Sequence, residues 1–293
     1  MIIDKLYESV DKKGPVCIGL DTAMEYIPKQ LLDKYSFEDQ ALFRFNQKII
    51  DATFDTAACY KLQIAYYEAL GISGLNVYKR TLEYIKSLGG IAIGDIKRGD
   101  IAKTAEMYAK AHFTGDFECD FVTLNPYMGM DSIEPYLKYV SSGEKGLFIL
   151  MRTSNSGAKD IQYIGDHKGR KVYETVAEKI EKSGREYVGN CGYSSIGAVV
   201  GCTHVEEGKQ IRDKFNKMFF LIPGYGAQGG TAKDVALYLN NGNGGIVNSS
   251  RGILLAYKGQ EGREAEFDLC AREEALAIRR DIDEFKLSIS KSA

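Results

Sequence analysis

Residues 89–104 read "GGIAIGDIKRGDIAKT", a short apolar run that leads directly into charged residues. The apolar run predicts a buried β-strand, and Asp95 and Lys97 follow it two residues apart. Because alternate residues of a strand point to the same side, these two side chains are expected on one face. A buried strand that ends in charged residues is typical of the active-site edge of an α/β fold.

Seven other runs share the features of this strand. Each is short, almost continuously apolar and bounded by glycine or polar residues, as expected of strands buried on both faces. They lie at residues 14–21, 57–63, 119–126, 146–154, 196–203, 218–224 and 244–250. The segments between them have helical spacing, so the chain predicts eight strand–helix units and an α/β fold of the (β/α)₈ TIM-barrel type. A doubly wound open sheet is the alternative, and eight units favour the closed barrel.

Residues 1–293 are interpreted as a single barrel domain, because no linker rich in proline or glycine divides them. The connection between the fifth and sixth strands is long, at about residues 153–195, and is either a lid or a surface excursion. A charged amphipathic helix at about residues 261–287 is expected to close the barrel.

The composition is that of a globular protein, with 44% hydrophobic and 27% charged residues. A formal net charge of −2 gives no indication of binding to nucleic acid or to a membrane surface. No apolar run is long enough for a transmembrane helix, and the N-terminus lacks signal-peptide features, which favours a cytoplasmic location. The six cysteines form no C-x-x-C pair and the three histidines are scattered, so reduced core thiols are expected and a zinc site is not.

Polar residues follow most of the predicted strands. Asp21 ends the first run, Lys61 lies in the second, Asn125 follows the fourth, and residues 152–155 follow the fifth. One charge at a strand end is most often a solvated loop residue. In a barrel, however, these ends meet at one rim, so together they predict an active site there.

The seventh and eighth strands are followed by an expected anion site. Residues 224–230 read "GYGAQGG" and precede a helix predicted to begin near Thr231. Backbone N–H groups exposed by glycines beside a helix N-terminus bind anions, and Arg251 can bind two phosphate oxygens. The predicted ligand is a phosphorylated small molecule; glycines that only form tight turns are the alternative.

The charged residues of the second and third strands predict an array in the barrel mouth. Lys61, on the neighbouring strand, can approach Asp95, which lies beside Lys97. Flanking carboxylates keep such lysines protonated. Asp100 follows on the loop and cannot easily reach the array from its own chain. An ion network with only a structural role is the alternative.

The motif at residues 94–111, "GDIKRGDIAKTAEMYAKA", resembles the D-x-K-x-x-D-I-x-x-T signature of orotidine 5′-phosphate decarboxylases. The similarity is greatest to the longer subgroup of that family, whose motif is D-I-K-R-G-D-I. Similar stretches cover nearly the whole chain, at residues 19–21, 60–71, 122–136, 152–162, 197–203, 222–230 and 247–253. Three residues depart from the subgroup. A proline is common at the position of Ser156, an alanine at that of Cys202, and a small or polar residue or a proline near that of His204.

The resemblance implies cofactor-free decarboxylation of orotidine 5′-phosphate to UMP, with no metal. It matches Lys61, Asp95, Lys97 and Asp100 to the family's charged tetrad, with Lys97 as the proton donor. It also implies a homodimer in which Asp100 and Thr104 enter the partner's site. The other implied contacts are Asp21 with the ribose, Ser154 and Asn155 with the base, Gln228 between base and phosphate, and Tyr225, Gly229 and Arg251 with the phosphate. Asn125, at its strand end, is a further candidate for substrate binding.

Three other functions remain as alternatives. A phosphosugar enzyme with a related D-x-K-x-x-D pattern would need Mg²⁺ at the acid cluster. A Schiff-base aldolase would need Lys97 or Lys61 uncharged, which the flanking acids disfavour. A catalytically silent nucleotide-binding protein would not need the complete charged array.

Overall fold

Eight parallel strands form a closed barrel in the computed structural model, which describes residues 1–202, 205–226 and 229–290. Each strand pairs with the next along the chain, and the eighth pairs with the first. The strands β1–β8 are Val16–Gly19, Cys59–Gln63, Ala92–Arg98, Phe121–Leu124, Gly146–Arg152, Ile196–Val200, Phe220–Pro223 and Gly245–Ser249. The predicted (β/α)₈ barrel is therefore confirmed, and the alternative of a doubly wound open sheet is wrong.

Helices follow the strands around the outside of the barrel. The helices α1–α12 are Ile2–Lys13, Lys29–Leu32, Glu38–Thr53, Ile64–Glu68, Gly71–Ser87, Ala102–Phe113, Glu134–Val140, Val172–Gly184, Val205–Lys214, Ala232–Ala236, Arg251–Leu254 and Phe267–Ser290. The final helix begins at Phe267, later than predicted, because Gly262 has a positive φ of 78° and a 3₁₀ turn at Glu264–Glu266 precedes the helix.

The long connection between β5 and β6 has secondary structure of its own. It contains a 3₁₀ helix at Ser156–Asp160 and then α8. Whether this connection moves as a lid stays a prediction.

Side chains alternate between two apolar clusters. One cluster fills the space between the strands and the surrounding helices, with members such as Ile18, Tyr60 and Ile96. The other fills the barrel interior toward the amino-terminal ends of the strands and includes Phe121 and Phe148. Each buried phenylalanine contributes roughly 1.5–3 kcal/mol through the hydrophobic effect.

Helix α1 closes the amino-terminal end of the barrel. Its residues Ile2, Ile3, Leu6 and Val10 belong to the interior cluster. Polar interior positions are thus left at the carboxyl ends of the strands, where the predicted site residues lie.

Each of the six cysteines is a free thiol, and all but the partly exposed Cys191 are buried. Within the described part of the chain, no helix is both long and apolar enough to cross a membrane, and no three His, Cys, Asp or Glu side chains are grouped to hold a metal ion. A cytoplasmic location stays a prediction.

Candidate active site

A cavity of about 530 Å³ opens at the carboxyl ends of the strands. Residues from all eight strands or the loops after them line it. They include Asp21, Lys61, Asp95, Lys97, Ser154, Asn155, Tyr225 and Arg251. Eight of the residues predicted from strand ends or from the resemblance are therefore brought together around one space.

The inner positions of each strand change from apolar to polar toward this cavity. On β2 the inward residues are Cys59 and then Lys61, and on β3 they are Ile93 and then Asp95. Alternate residues of a strand point to the same side, so the two residues named on each strand share a face. This alternation places the charged groups directly above the apolar interior.

Asp95 lies at the centre of the charged array. Its Oδ2 accepts hydrogen bonds from Lys61 Nζ at 2.9 Å and from Gln63 Nε2 at 3.2 Å. Its Oδ1 accepts from Lys97 Nζ at 2.5 Å and from Thr123 Oγ1 at 2.8 Å. Only 6% of Asp95 is exposed, so a buried carboxylate is held by two ammonium groups and two neutral donors.

These contacts determine the protonation states of Asp95 and Lys61. Burial alone raises the pKa of Asp95, but the charges and hydrogen bonds of Lys61 and Lys97 outweigh it, so this pKa lies well below the usual range. Burial lowers the pKa of Lys61, but the carboxylates of Asp21 and Asp95 raise it above its ordinary value. Both groups are therefore charged at neutral pH.

Lys97 reaches the array through an irregular backbone. Its φ is +46°, a left-handed conformation that is uncommon for lysine, and the β3–β4 register shifts between Gly94 and Arg98. The Lys97 N–H donates to Thr123 Oγ1 at 3.0 Å instead of to a strand partner. Such a conformation costs on the order of 1–3 kcal/mol and persists only where surrounding contacts impose it.

Asp21 is fixed beside the array by three donors. Its Oδ1 accepts from Lys61 Nζ at 3.2 Å and from the Gln63 N–H at 3.3 Å, and its Oδ2 accepts from Ser250 Oγ at 2.7 Å. The sequence argument did not single out Gln63, Thr123 or Ser250. A signal existed for Gln63, which lies two residues after Lys61 on the same strand face.

Two residues of the predicted anion site lie on another wall of the cavity. Tyr225 and Arg251 line the cavity, and Arg251 has no carboxylate partner among the described residues. The loop between β7 and α10 is closed by a hydrogen bond of 3.0 Å from the Gly230 N–H to the Gly224 carbonyl. Gly229 has a φ of +89°, which favours glycine.

Tyr225 also contacts the last helix. Its hydroxyl donates to Asp281 Oδ2 on α12 at 3.4 Å. Burial, together with the charge of Asp281, raises the pKa of Tyr225 to about 12. This hydroxyl carries one proton, which it donates to Asp281, so an anion bound at Tyr225 would compete with Asp281 for that proton.

Four of the predicted residues do not line this cavity: Asp100, Thr104, Asn125 and Gly229. Asp100 Oδ1 accepts from the N–H of Ile101 at 2.8 Å, and Thr104 is exposed in the first turn of α6. The side-chain oxygen of Asn125 accepts from the Tyr127 N–H at 3.0 Å and so stabilises its own turn. Gln228, predicted to lie between base and phosphate, falls outside the described residues.

Two of the three residues that depart from the family pattern, Ser156 and Cys202, fall within the described part of the chain. Ser156 begins the 3₁₀ helix after β5. Cys202 is fully buried, and a Cβ at Gly230 would lie 2.4 Å from its Sγ, so this thiol packs directly beneath the glycine-rich loop. His204 falls outside the described residues.

This chain is similar to known proteins over nearly its whole length. The family model described as orotidine 5′-phosphate decarboxylase / HUMPS family matches residues 14–265. A Clostridium acetobutylicum protein named orotidine 5′-phosphate decarboxylase is 66% identical over 96% of this chain and 99% of its own length. The protein of the same name from Clostridium novyi is 64% identical over 96% and 98% of the two chains.

Solved structures show the same fold. A crystal structure from Toxoplasma gondii has a TM-score of 0.83 at 27% identity and covers 99% of this chain and 97% of its own. The structure of Leishmania donovani OMP decarboxylase has a TM-score of 0.76 at 28% identity over 98% of each chain. The matched span, the near-full coverage of the relatives and the charged barrel mouth together lead to one conclusion: the chain belongs to the orotidine 5′-phosphate decarboxylase / HUMPS family.

Proposed function

We propose that this chain decarboxylates orotidine 5′-phosphate to UMP and CO₂, the last step of de novo pyrimidine nucleotide synthesis, with Lys97 as the proton donor. The observation that carries the proposal is the Lys97 ammonium, paired with a buried carboxylate, in the same cavity as Arg251. Relatives that are 61–66% identical over nearly the whole chain carry the name of this enzyme, which favours it over the phosphosugar branch.

The reaction breaks the bond between C6 of the pyrimidine and its carboxylate. The electron pair stays on C6 and CO₂ leaves as a neutral molecule. No adjacent π acceptor delocalises that pair, so fixed charge near C6 must stabilise it. The Lys97 ammonium supplies this charge and then transfers a proton from Nζ to C6.

Asp95 has two functions in this proposal. Its hydrogen bond of 2.5 Å holds the Lys97 ammonium in place. Its carboxylate also repels the substrate carboxylate, and this repulsion relaxes as neutral CO₂ forms. Lys61 and Gln63 keep Asp95 fixed while the substrate changes charge.

In this proposal each wall of the cavity binds a different part of the substrate. Asp21, oriented by Ser250, binds a ribose hydroxyl. Ser154 and Asn155 face the base. The phosphate is bound by Tyr225, Gly229 and Arg251, with Gln228 between phosphate and base. Phosphate binding energy can then support closure of loops over the site.

We also propose a homodimer in which Asp100 and Thr104 complete the partner's site. Neither residue lines the cavity of its own chain. Apolar side chains are exposed beside Asp100 and on the loop after β4, including Ile101 at 48% and Tyr127 at 78%. An exposed apolar patch of this kind is typical of a protein–protein contact.

The function is tested by the ultraviolet absorbance change that accompanies loss of the carboxylate from orotidine 5′-phosphate. We expect turnover by the purified chain, at the same rate in EDTA, because charge on Lys97 rather than a metal stabilises the carbanion. Absence of an absorbance change would contradict the proposal. Loss of turnover in EDTA would favour the metal-dependent phosphosugar enzymes.

The dimer is tested by mixing two inactive variants, Lys97→Ala and Asp100→Ala. In a mixed dimer with shared sites, one site carries both substitutions and the other carries neither. Random exchange of equal amounts should therefore restore about one quarter of the wild-type activity, since half of the dimers are mixed and each has one intact site. Activity that stays at the level of the separate variants would show that Asp100 acts in its own chain.

A further inference from the structure

Four side chains connect the excursion after β5 to helix α9, and we call them the latch: Arg152, Tyr163, Lys171 and Glu207. Glu207 accepts hydrogen bonds from Tyr163 and Lys171 and forms an ion pair with Arg152. Its Oε2 accepts from the Tyr163 hydroxyl at 2.7 Å and lies 2.9 Å from Arg152 Nε. Its Oε1 accepts from Lys171 Nζ at 3.1 Å.

Arg152 is the buried end of the latch. It is fully buried and donates from Nη2 to the Tyr163 hydroxyl at 2.9 Å and from Nη1 to the Gly201 carbonyl at 3.0 Å. Burial raises the pKa of Glu207, but its partners lower it further, so the carboxylate is charged. Removing Glu207 would leave a buried guanidinium without its counter-charge, which favours movement of that guanidinium toward water.

The latch encloses the segment that faces the base. Thr153 donates its N–H to Gln162 Oε1 at 2.9 Å, and its Oγ1 accepts from Gln162 Nε2 at 2.8 Å. These two bonds join the ends of the segment 153–162. A Cβ at Gly201 would lie 2.8 Å from Cβ of Ser154, so Ser154 packs directly against the end of β6. Ser154 and Asn155 line the cavity from within this closed segment.

We infer that Glu207 is a positioning residue, which holds the 153–163 segment through Tyr163 and Arg152 so that Ser154 and Asn155 meet the pyrimidine base. This inference rests on the proposed function, because it assumes that those two residues face the base. Glu207 itself does not line the cavity, so it acts only through the latch.

The test compares a ligand that has the base with one that lacks it. We expect Glu207→Ala to weaken UMP binding and to lower kcat/KM for orotidine 5′-phosphate by about 10- to 100-fold, since small displacements of positioning groups have effects of this size. Binding of ribose 5-phosphate should change less than about 2-fold, because its contacts lie on the other walls. Glu207→Gln should recover part of the loss, since its oxygen still accepts from Tyr163.

Glu178 offers a matched control on α8. It also bridges the excursion to α9, accepting from Arg170 Nη1 at 2.9 Å and Lys214 Nζ at 3.2 Å, and it does not belong to the latch. Glu178→Ala should leave both ligands unaffected. If Glu207→Ala does not fold, Tyr163→Phe removes the shared hydroxyl and should give the same selective loss.

Two outcomes would overturn the inference. One is a latch variant that binds UMP and turns over substrate like the wild type. The other is an equal loss for UMP and ribose 5-phosphate, which would indicate general damage to the barrel. The comparison of UMP with ribose 5-phosphate needs no turnover, whereas a wild type that does not turn over orotidine 5′-phosphate would refute the proposed function itself.

Discussion

Lys97→Ala should lower kcat for orotidine 5′-phosphate by at least about 10⁴-fold, because it removes both the positive charge beside C6 and the proton donor. UMP binding should survive this substitution. Asp95 keeps its contacts with Lys61, Gln63 and Thr123, so the rest of the array stays in place. Single-turnover kinetics and calorimetric titration with UMP measure the two effects separately.

The exposed Lys12 on α1 provides the control for this experiment. Lys12 lies on the helix that closes the opposite end of the barrel, and 75% of its side chain is exposed. Lys12→Ala should leave kcat unchanged. Substantial turnover in Lys97→Ala would remove Lys97 as the proton donor and would direct attention to Lys61, the other ammonium on Asp95.

The barrel could be predicted because its signal is local. Each strand lies in a short, almost continuously apolar run, and a strand buried on both faces needs little more than that pattern. The apolar run within residues 89–104 corresponds to β3 at Ala92–Arg98, and the predicted run at 57–63 corresponds to β2 at Cys59–Gln63. The late start of α12 could not be predicted from amphipathicity, since the preceding turn depends on the conformation of Gly262.

The site could be predicted only in part, because several of its contacts join distant parts of the chain. Ser250 orients Asp21 across 229 positions, and Thr123 reaches Asp95 from the neighbouring strand. Thr123 lies inside an apolar run, so its role depends on strand register and not on a visible motif. The positive φ of Lys97 likewise follows from the β3–β4 irregularity, which composition does not reveal.

Asn125 shows the limit of the argument from strand ends. It follows β4, as predicted, but its side-chain oxygen accepts from the backbone of Tyr127 within the same turn. Asparagine is frequent in turns for this reason. A polar residue at a strand end therefore predicts a site contact only when its side chain is not already used by the local backbone.

Arg251→Ala should lower kcat/KM for orotidine 5′-phosphate by about 10²- to 10³-fold, because it removes a charged donor from the phosphate wall. Arg251 has no carboxylate partner in the part of the chain that the structure describes, so its charge is available to an anionic ligand. The nucleoside orotidine, which lacks the phosphate, should react at the same low rate with the wild type and the variant. Steady-state kinetics with both substrates separates a loss of phosphate binding from a loss of catalysis.

Added phosphite tests whether phosphate binding is coupled to the reaction at C6 of the base. If phosphate binding supports closure over the reacting carbon, phosphite should accelerate orotidine turnover by the wild type and much less by Arg251→Ala. Arg44, exposed on α3 and outside the cavity, is the matched control, and Arg44→Ala should respond to phosphite like the wild type. A wild type that does not respond would mean that the phosphate only anchors the substrate. Equal losses with orotidine and its phosphate would place Arg251 in the chemical step, because the nucleoside has no phosphate for it to bind.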